Sequence, residues 1–143
     1  MSSGLIFRQE QMIEIIPFKS AGGIKLNDSI KNYQPEAVGA PHDITKITAY
    51  EFFNGTLTAY VQDDIIEWIA VYGECYLKGI NIFNMNIRTF FEQFEIQTRY
   101  RKADDRVWVN DREQQDVYEI GNMGLQIWVN DAGRIVSVIC DIE

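Results

Sequence analysis

The sequence predicts an α+β fold. The expected architecture is a tandem duplication of a short strand, a helix and a three-stranded antiparallel meander, giving one or more curved antiparallel sheets with two helices on one face. Three observations predict it. Ala49 to Asp63 (AYEFFNGTLTAYVQD) overlies Val117 to Asp131 (VYEIGNMGLQIWVND), 68 residues further on, with six identities in fifteen ungapped positions. About one would arise by chance at ordinary residue frequencies. Gly23-Ile24-Lys25-Leu26 resembles Gly79-Ile80-Asn81-Ile82. Both long copies alternate apolar and polar residues with period two and then run into an apolar segment, the pattern of half-buried strands.

The elements follow in order. Residues 1–11 show no period and read as a loose arm. Met12 to Ile16 reads as a strand stopped by Pro17, which has no N–H for a sheet ladder. Asn27 is placed to cap a helix running to about Gln34, ended by Pro35. Thr45 to Phe53 and Thr56 to Gln62 form a hairpin around the Asn54-Gly55 turn signal. Leu57, Ala59 and Val61 face inward, and Thr58, Tyr60 and Gln62 face outward. After the turn at Asp63-Asp64, the row Ile66, Trp68 and Ala70 adds a further apolar set. In the second half Asn84 is placed to cap a helix whose Ile87, Phe90, Phe91 and Phe94 make an apolar stripe. Leu125, Ile127 and Val129 then alternate with Gln126, Trp128 and Asn130, and Val136, Val138 and Cys140 repeat the last row. The spacing between matching segments grows from 56 to 68 residues, so the second half carries about twelve extra residues. They are placed in the charged stretch Thr98 to Asp116.

A chain of 143 residues with 46% hydrophobic content fits one globular domain, 1–143, with pseudo-repeats at about 12–76 and 77–143. The net charge of −8 argues against direct nucleic-acid binding, which needs clustered Lys and Arg. No basic start followed by an apolar run marks a signal peptide, and no run reaches the ~20 apolar residues of a spanning helix. A cytoplasmic protein without membrane contact is the expectation, as a monomer or weak dimer. Two cysteines, Cys75 and Cys140, make neither a disulfide framework nor a metal set.

Catalytic signals are weak. His42 is the sole histidine, and a general base needs a partner positioned to use it. The carboxylate pairs Asp63/Asp64 and Asp104/Asp105 fit turn chemistry, and no catalytic, metal or cofactor motif occurs. The distribution of charge is more informative. Residues 41–74 contain six acids and one base, a net −5, so most of the negative excess lies on the first meander. Acids beside an outward aromatic suit a basic protein surface. The expected partner-binding residues are Tyr60, Asp63, Asp64 and Glu67, followed by Asp104, Asp105 and Trp108 on the charged stretch.

The segments IIPFKSAGGIKLNDSI near the start and GLQIWVNDAGRIVSVICD near the end resemble small bacterial immunity proteins of contact-dependent and other polymorphic toxin systems. The resemblance covers about half of the chain. It implies a non-enzymatic inhibitor that binds and neutralises a cognate toxin domain, often a nuclease with a cationic active site, and it carries over no catalytic residue. An acidic surface would occlude such a site. The alternative is a small-ligand-binding domain or enzyme with a pocket between the halves, where His42, Glu51, Tyr118 and Glu119 would converge. A third reading is an assembly subunit that pairs through strand edges.

Overall fold

A computed structural model describes residues 12–96 and 100–142 of the chain. The expected arm at 1–11 and Thr98, at the start of the charged stretch, lie outside the described residues. The α+β expectation is corrected: the protein is mostly β, with strands over 44% of the chain and helical turns over 10%. Instead of two helices on one face there is, among the described residues, a single α-helix.

A five-stranded sheet contains β1 (Glu14–Ile16), β2 (Ser20–Ala21), β3 (Ile24–Lys25), β8 (Tyr76–Leu77) and β9 (Ile80–Asn81), in the order β3-β2-β1-β8-β9. A nine-stranded sheet contains β4 (Ala37–Val38), β5 (Thr48–Phe52), β6 (Leu57–Gln62), β7 (Ile65–Val71), β10 (Arg101–Lys102), β11 (Val107–Trp108), β12 (Gln114–Ile120), β13 (Leu125–Val129) and β14 (Ile135–Cys140). Its order is β10-β12-β13-β14-β7-β6-β5-β4, and β11 also pairs with β12. The helix α1 spans Ile87–Gln93. One apolar core joins the layers: Ile15, Ile24 and Leu77 of the smaller sheet pack with Leu57, Ile69, Ile127 and Ile135 of the larger one and with Phe90 of α1. Complete burial of Phe90, with Phe91 and Phe94 partly buried against the core, follows from the stripe at i, i+3 and i+4.

The first half forms only a 3-10 turn, Ile30–Asn32, where a helix from Asn27 to Gln34 was expected. Pro35 leaves too few residues to offset the cost of helix nucleation. Side chains also compete for the local backbone: Asp28 accepts from Ser29 N at 2.8 Å, from Asn32 Nδ2 at 2.9 Å and from the Tyr33 hydroxyl at 2.7 Å. These bonds, the Tyr33 hydroxyl first, hold the Asp28 pKa below its ordinary value. The capping residues also lie two positions beyond those expected. Ser29 accepts from Lys31 N and Asn86 from Arg88 N, whereas Asn27 and Asn84 take left-handed φ values of 64° and 66°.

The two meanders repeat one hydrogen-bond register. Tyr50 pairs with Ala59 and Phe52 with Leu57; 68 residues on, Tyr118 pairs with Ile127 and Ile120 with Leu125. The third strands meet across the middle of the sheet, where Ile69 pairs with Cys140, Ala70 with Ile139 and Val71 with Val138. Each half therefore offers the same strand to the other, and the local two-fold axis passes between Ala70 and Ile139.

The extra residues of the second half are split rather than placed together in one insertion. Ala37 of β4 stands opposite Glu51, and Arg101 of β10 stands opposite the equivalent Glu119. This 64-residue offset puts about eight extra residues before β10, in the region of α1, and about four after it. Thus the same added length that lets the second half form a helix is absent from the first.

Candidate functional site

One face of the nine-stranded sheet covers the core, and the other carries a band of aromatic side chains. The bulges that set this band overturn part of the period-two reading. Tyr60 pairs with Trp68 and Val61 with Ile66, leaving Glu67 as the extra residue. Trp128 pairs with Ser137 and Val129 with Ile135, leaving Val136 extra. A one-residue bulge reverses which side chains face the core. Ile66 therefore points inward, at 1% exposure, while Trp68 and Ala70 belong to the outer face with Tyr60. In the second half, Val138 and Cys140 are buried on the inner side, and Val136 lines a groove on the outer face.

In the first half, Tyr60 and Trp68 stack with ring centroids 5.2 Å apart and planes 16° from parallel. Such a pair contributes about 0.5–1.5 kcal/mol beyond the area it buries. The Tyr60 and Tyr72 hydroxyls lie 3.2 Å apart; burial first, then this bond, raises the Tyr72 pKa well above its ordinary value. Asp63 and Asp64 form the turn between β6 and β7, with left-handed φ values of 52° and 67°. The turn is tied to the neighbouring 3-10 turn by Ile30 N donating to Asp64 O at 2.8 Å and by Lys31 Nζ 3.3 Å from Asp64 Oδ2. Tyr60, Asp63, Asp64 and Glu67 therefore share one hairpin, with the three carboxylates exposed.

Asp104, Asp105 and Trp108 do not join them. The two aspartates are exposed between β10 and β11, and Trp108 is 63% exposed on β11. Four strand steps separate β11 from β7, about 19 Å at the usual spacing. Because β7 and β14 run antiparallel, the β6–β7 and β13–β14 turns also lie at opposite ends of the sheet. Sequence inspection missed Arg106, which positions β11. Its guanidinium lies 3.2 Å from Asp116 Oδ1 and 2.6 Å from Asp131 Oδ1, and donates to Gln114 O at 3.0 Å. Asp131 chiefly, with Asp116, raises its pKa above the ordinary value. Trp68 and Tyr72 were missed as surface groups because the parity change at the bulge is not visible in the residue pattern.

The groups expected to converge between the halves lie apart. Glu51 and Glu119 occupy β5 and β12, five strand steps from one another, about 24 Å. Glu119 accepts from Arg101 Nε at 2.9 Å, and Tyr118 packs inward against Phe91 at 5.4 Å. His42 is exposed and its Nδ1 accepts from Ile44 N and Thr45 N, both at 3.2 Å, as in a turn. Cys75 and Cys140 are buried free thiols, and burial pushes each pKa up to about 12; such thiols are poor nucleophiles. Among the described residues, no group of three His, Cys, Asp or Glu side chains is placed to hold a metal ion, and no helix is long and apolar enough to cross a membrane.

Comparison of the chain with known protein families, with curated proteins and with solved structures gives no match.

Proposed function

We propose that this is a non-catalytic binding protein that neutralises a cognate bacterial toxin domain in the cytoplasm by occluding a basic surface of it. The observation that carries the reading is the hairpin of β6 and β7, which presents Asp63, Asp64 and Glu67 beside the Tyr60–Trp68 stack. Carboxylates steer an approaching cationic cleft. Partly exposed aromatic rings then offer rigid apolar contact and a face for Arg or Lys. A nuclease is the favoured toxin, since its phosphate-binding groups are cationic. The resemblance of the chain to immunity proteins supports the same reading.

The test is to mix the purified protein with the toxin domain encoded beside its gene and to measure inhibition and association rate at several salt concentrations. Tight binding with an on-rate that falls as salt rises is expected. Asp63→Lys, Asp64→Lys and Glu67→Lys together should abolish both steering and cell protection. Wild-type binding by that triple variant would eliminate the proposed surface, and failure of the wild-type chain to protect toxin-expressing cells would eliminate the function.

A further inference from the structure

One difference between the two halves on the outer face leaves a space. The register equates Tyr60 with Trp128, and the residues paired across from them are Trp68 and Ser137. In the first half the indole of Trp68 stacks on Tyr60. In the second half Ser137 has no ring to lay on Trp128, and a groove of about 420 Å³ opens there. Trp108 and Val136 form its walls, with Tyr72 and Ile139 alongside. The bulge residues differ in the same sense: Glu67 in the first half is replaced by Val136, and among the described residues none that lines the groove is charged. The volume lies at the small end of the range for sites that hold a ligand group, roughly 300–1,000 Å³.

We propose that this groove accepts one aromatic side chain of a partner protein, which stacks on Trp128 as Trp68 stacks on Tyr60. The first half supplies the template for the occupant: a planar ring, seated over the position of Ser137. The uncharged lining favours an indole or phenyl ring over a charged group, and Trp108, held on β11 by Arg106, closes the far side. An aromatic anchor seated in a pocket is a common form of binding hot spot. The inference adds the chemistry of one contact to the binding-protein reading. Its test uses no toxin, so each can fail without the other.

The experiment is a nuclear magnetic resonance titration of the ¹⁵N-labelled protein with a capped Gly-Trp-Gly peptide, and separately with free indole. The peptide should shift the Trp108 and Trp128 indole resonances together, saturating in the millimolar range suited to one side chain. Ser137→Trp supplies the missing ring from the chain itself and should weaken peptide binding at least tenfold. Val136→Glu, which installs the residue of the first half at the bulge, should do the same and serves if the tryptophan variant does not fold. The proposal is overturned by shifts that do not saturate or that spread away from the groove. Wild-type affinity in a folded Ser137→Trp or Val136→Glu variant would also overturn it, as would a groove that takes free indole and rejects the peptide.

Discussion

Replacing Asp63-Asp64 with Asn-Gly should stabilise the protein while removing two of its carboxylates. Both residues hold left-handed φ values, 52° and 67°, and a two-residue hairpin turn of this kind favours Asn-Gly. Glycine at position 64 relieves strain on the order of 1 kcal/mol. About half of that is lost because the unfolded chain gains freedom. The Lys31–Asp64 pair, with side chains 76% and 56% exposed, contributes at most about 0.5 kcal/mol. Removing two negative charges near Glu67 offsets a comparable amount. Asparagine at position 63 tolerates the conformation as well as aspartate does. The net expectation is a gain of about 0.5 kcal/mol, or roughly 2 °C in Tm for a chain of this size, read by thermal melting followed by circular dichroism. Asp64→Val, with a branched side chain at the same φ, should instead cost about 1–2 kcal/mol. A loss of 1 kcal/mol or more in the Asn-Gly variant would refute the account of this turn. If the acidic hairpin also meets a basic partner, the stabilised variant should associate more slowly, a separation of stability from function that a purely structural turn would not show.

Three further outcomes are expected. Phe90→Ala removes a side chain with no solvent exposure and should cost about 3–5 kcal/mol in denaturant melts, whereas Phe91→Ala should cost less. Gly124→Ala meets φ +63°, the carbonyl of Asp141 and the Phe18 ring 2.7 Å from the added carbon, so it should destabilise by more than about 2 kcal/mol. Gly23→Ala, at φ +80° with nothing among the described residues within 4 Å, should lose only about 1 kcal/mol. The buried thiols give a pH prediction: with folded pKa values raised from the ordinary 9 to about 12, their contribution is intact below pH 9 and lost as pH rises through that interval. Cys75→Ala/Cys140→Ala should flatten this part of the stability curve, and neither native thiol should react with a disulfide reagent at pH 7.

The strands of the meanders are legible because alternation is a local property: Leu57, Ala59 and Val61 reach the core with Thr58, Tyr60 and Gln62 between them. The bulges are not. Nothing in QDDIIEWIAV marks Glu67 as the extra residue, since the two-against-one pairing is decided by a neighbouring strand, and every side chain beyond it changes face. The helix of the first half is overestimated for a related reason. Asn27 and Asp28 have the composition of a cap, but their side chains and backbone are committed to a left-handed step and to β7. The pairing of Asp28 O with Ile66 N at 2.9 Å is a long-range contact that propensity does not report. Of the expected site, the acidic hairpin is visible as a cluster in the sequence. Trp68 and Tyr72 join it only through the bulge, and the separation of Trp108 from it follows from strand order alone.

The pairing of β7 with β14 around Ala70 and Ile139 also governs how this surface can vary. In an assembly of two identical halves, every substitution would appear twice and the two ends of the face would stay alike. With both halves on one chain, a ring can be kept at one end as Trp68 and dispensed with at the other as Ser137. The seam keeps the sheet continuous while each end is free to acquire its own chemistry, so a single platform can address two unlike features of whatever it meets.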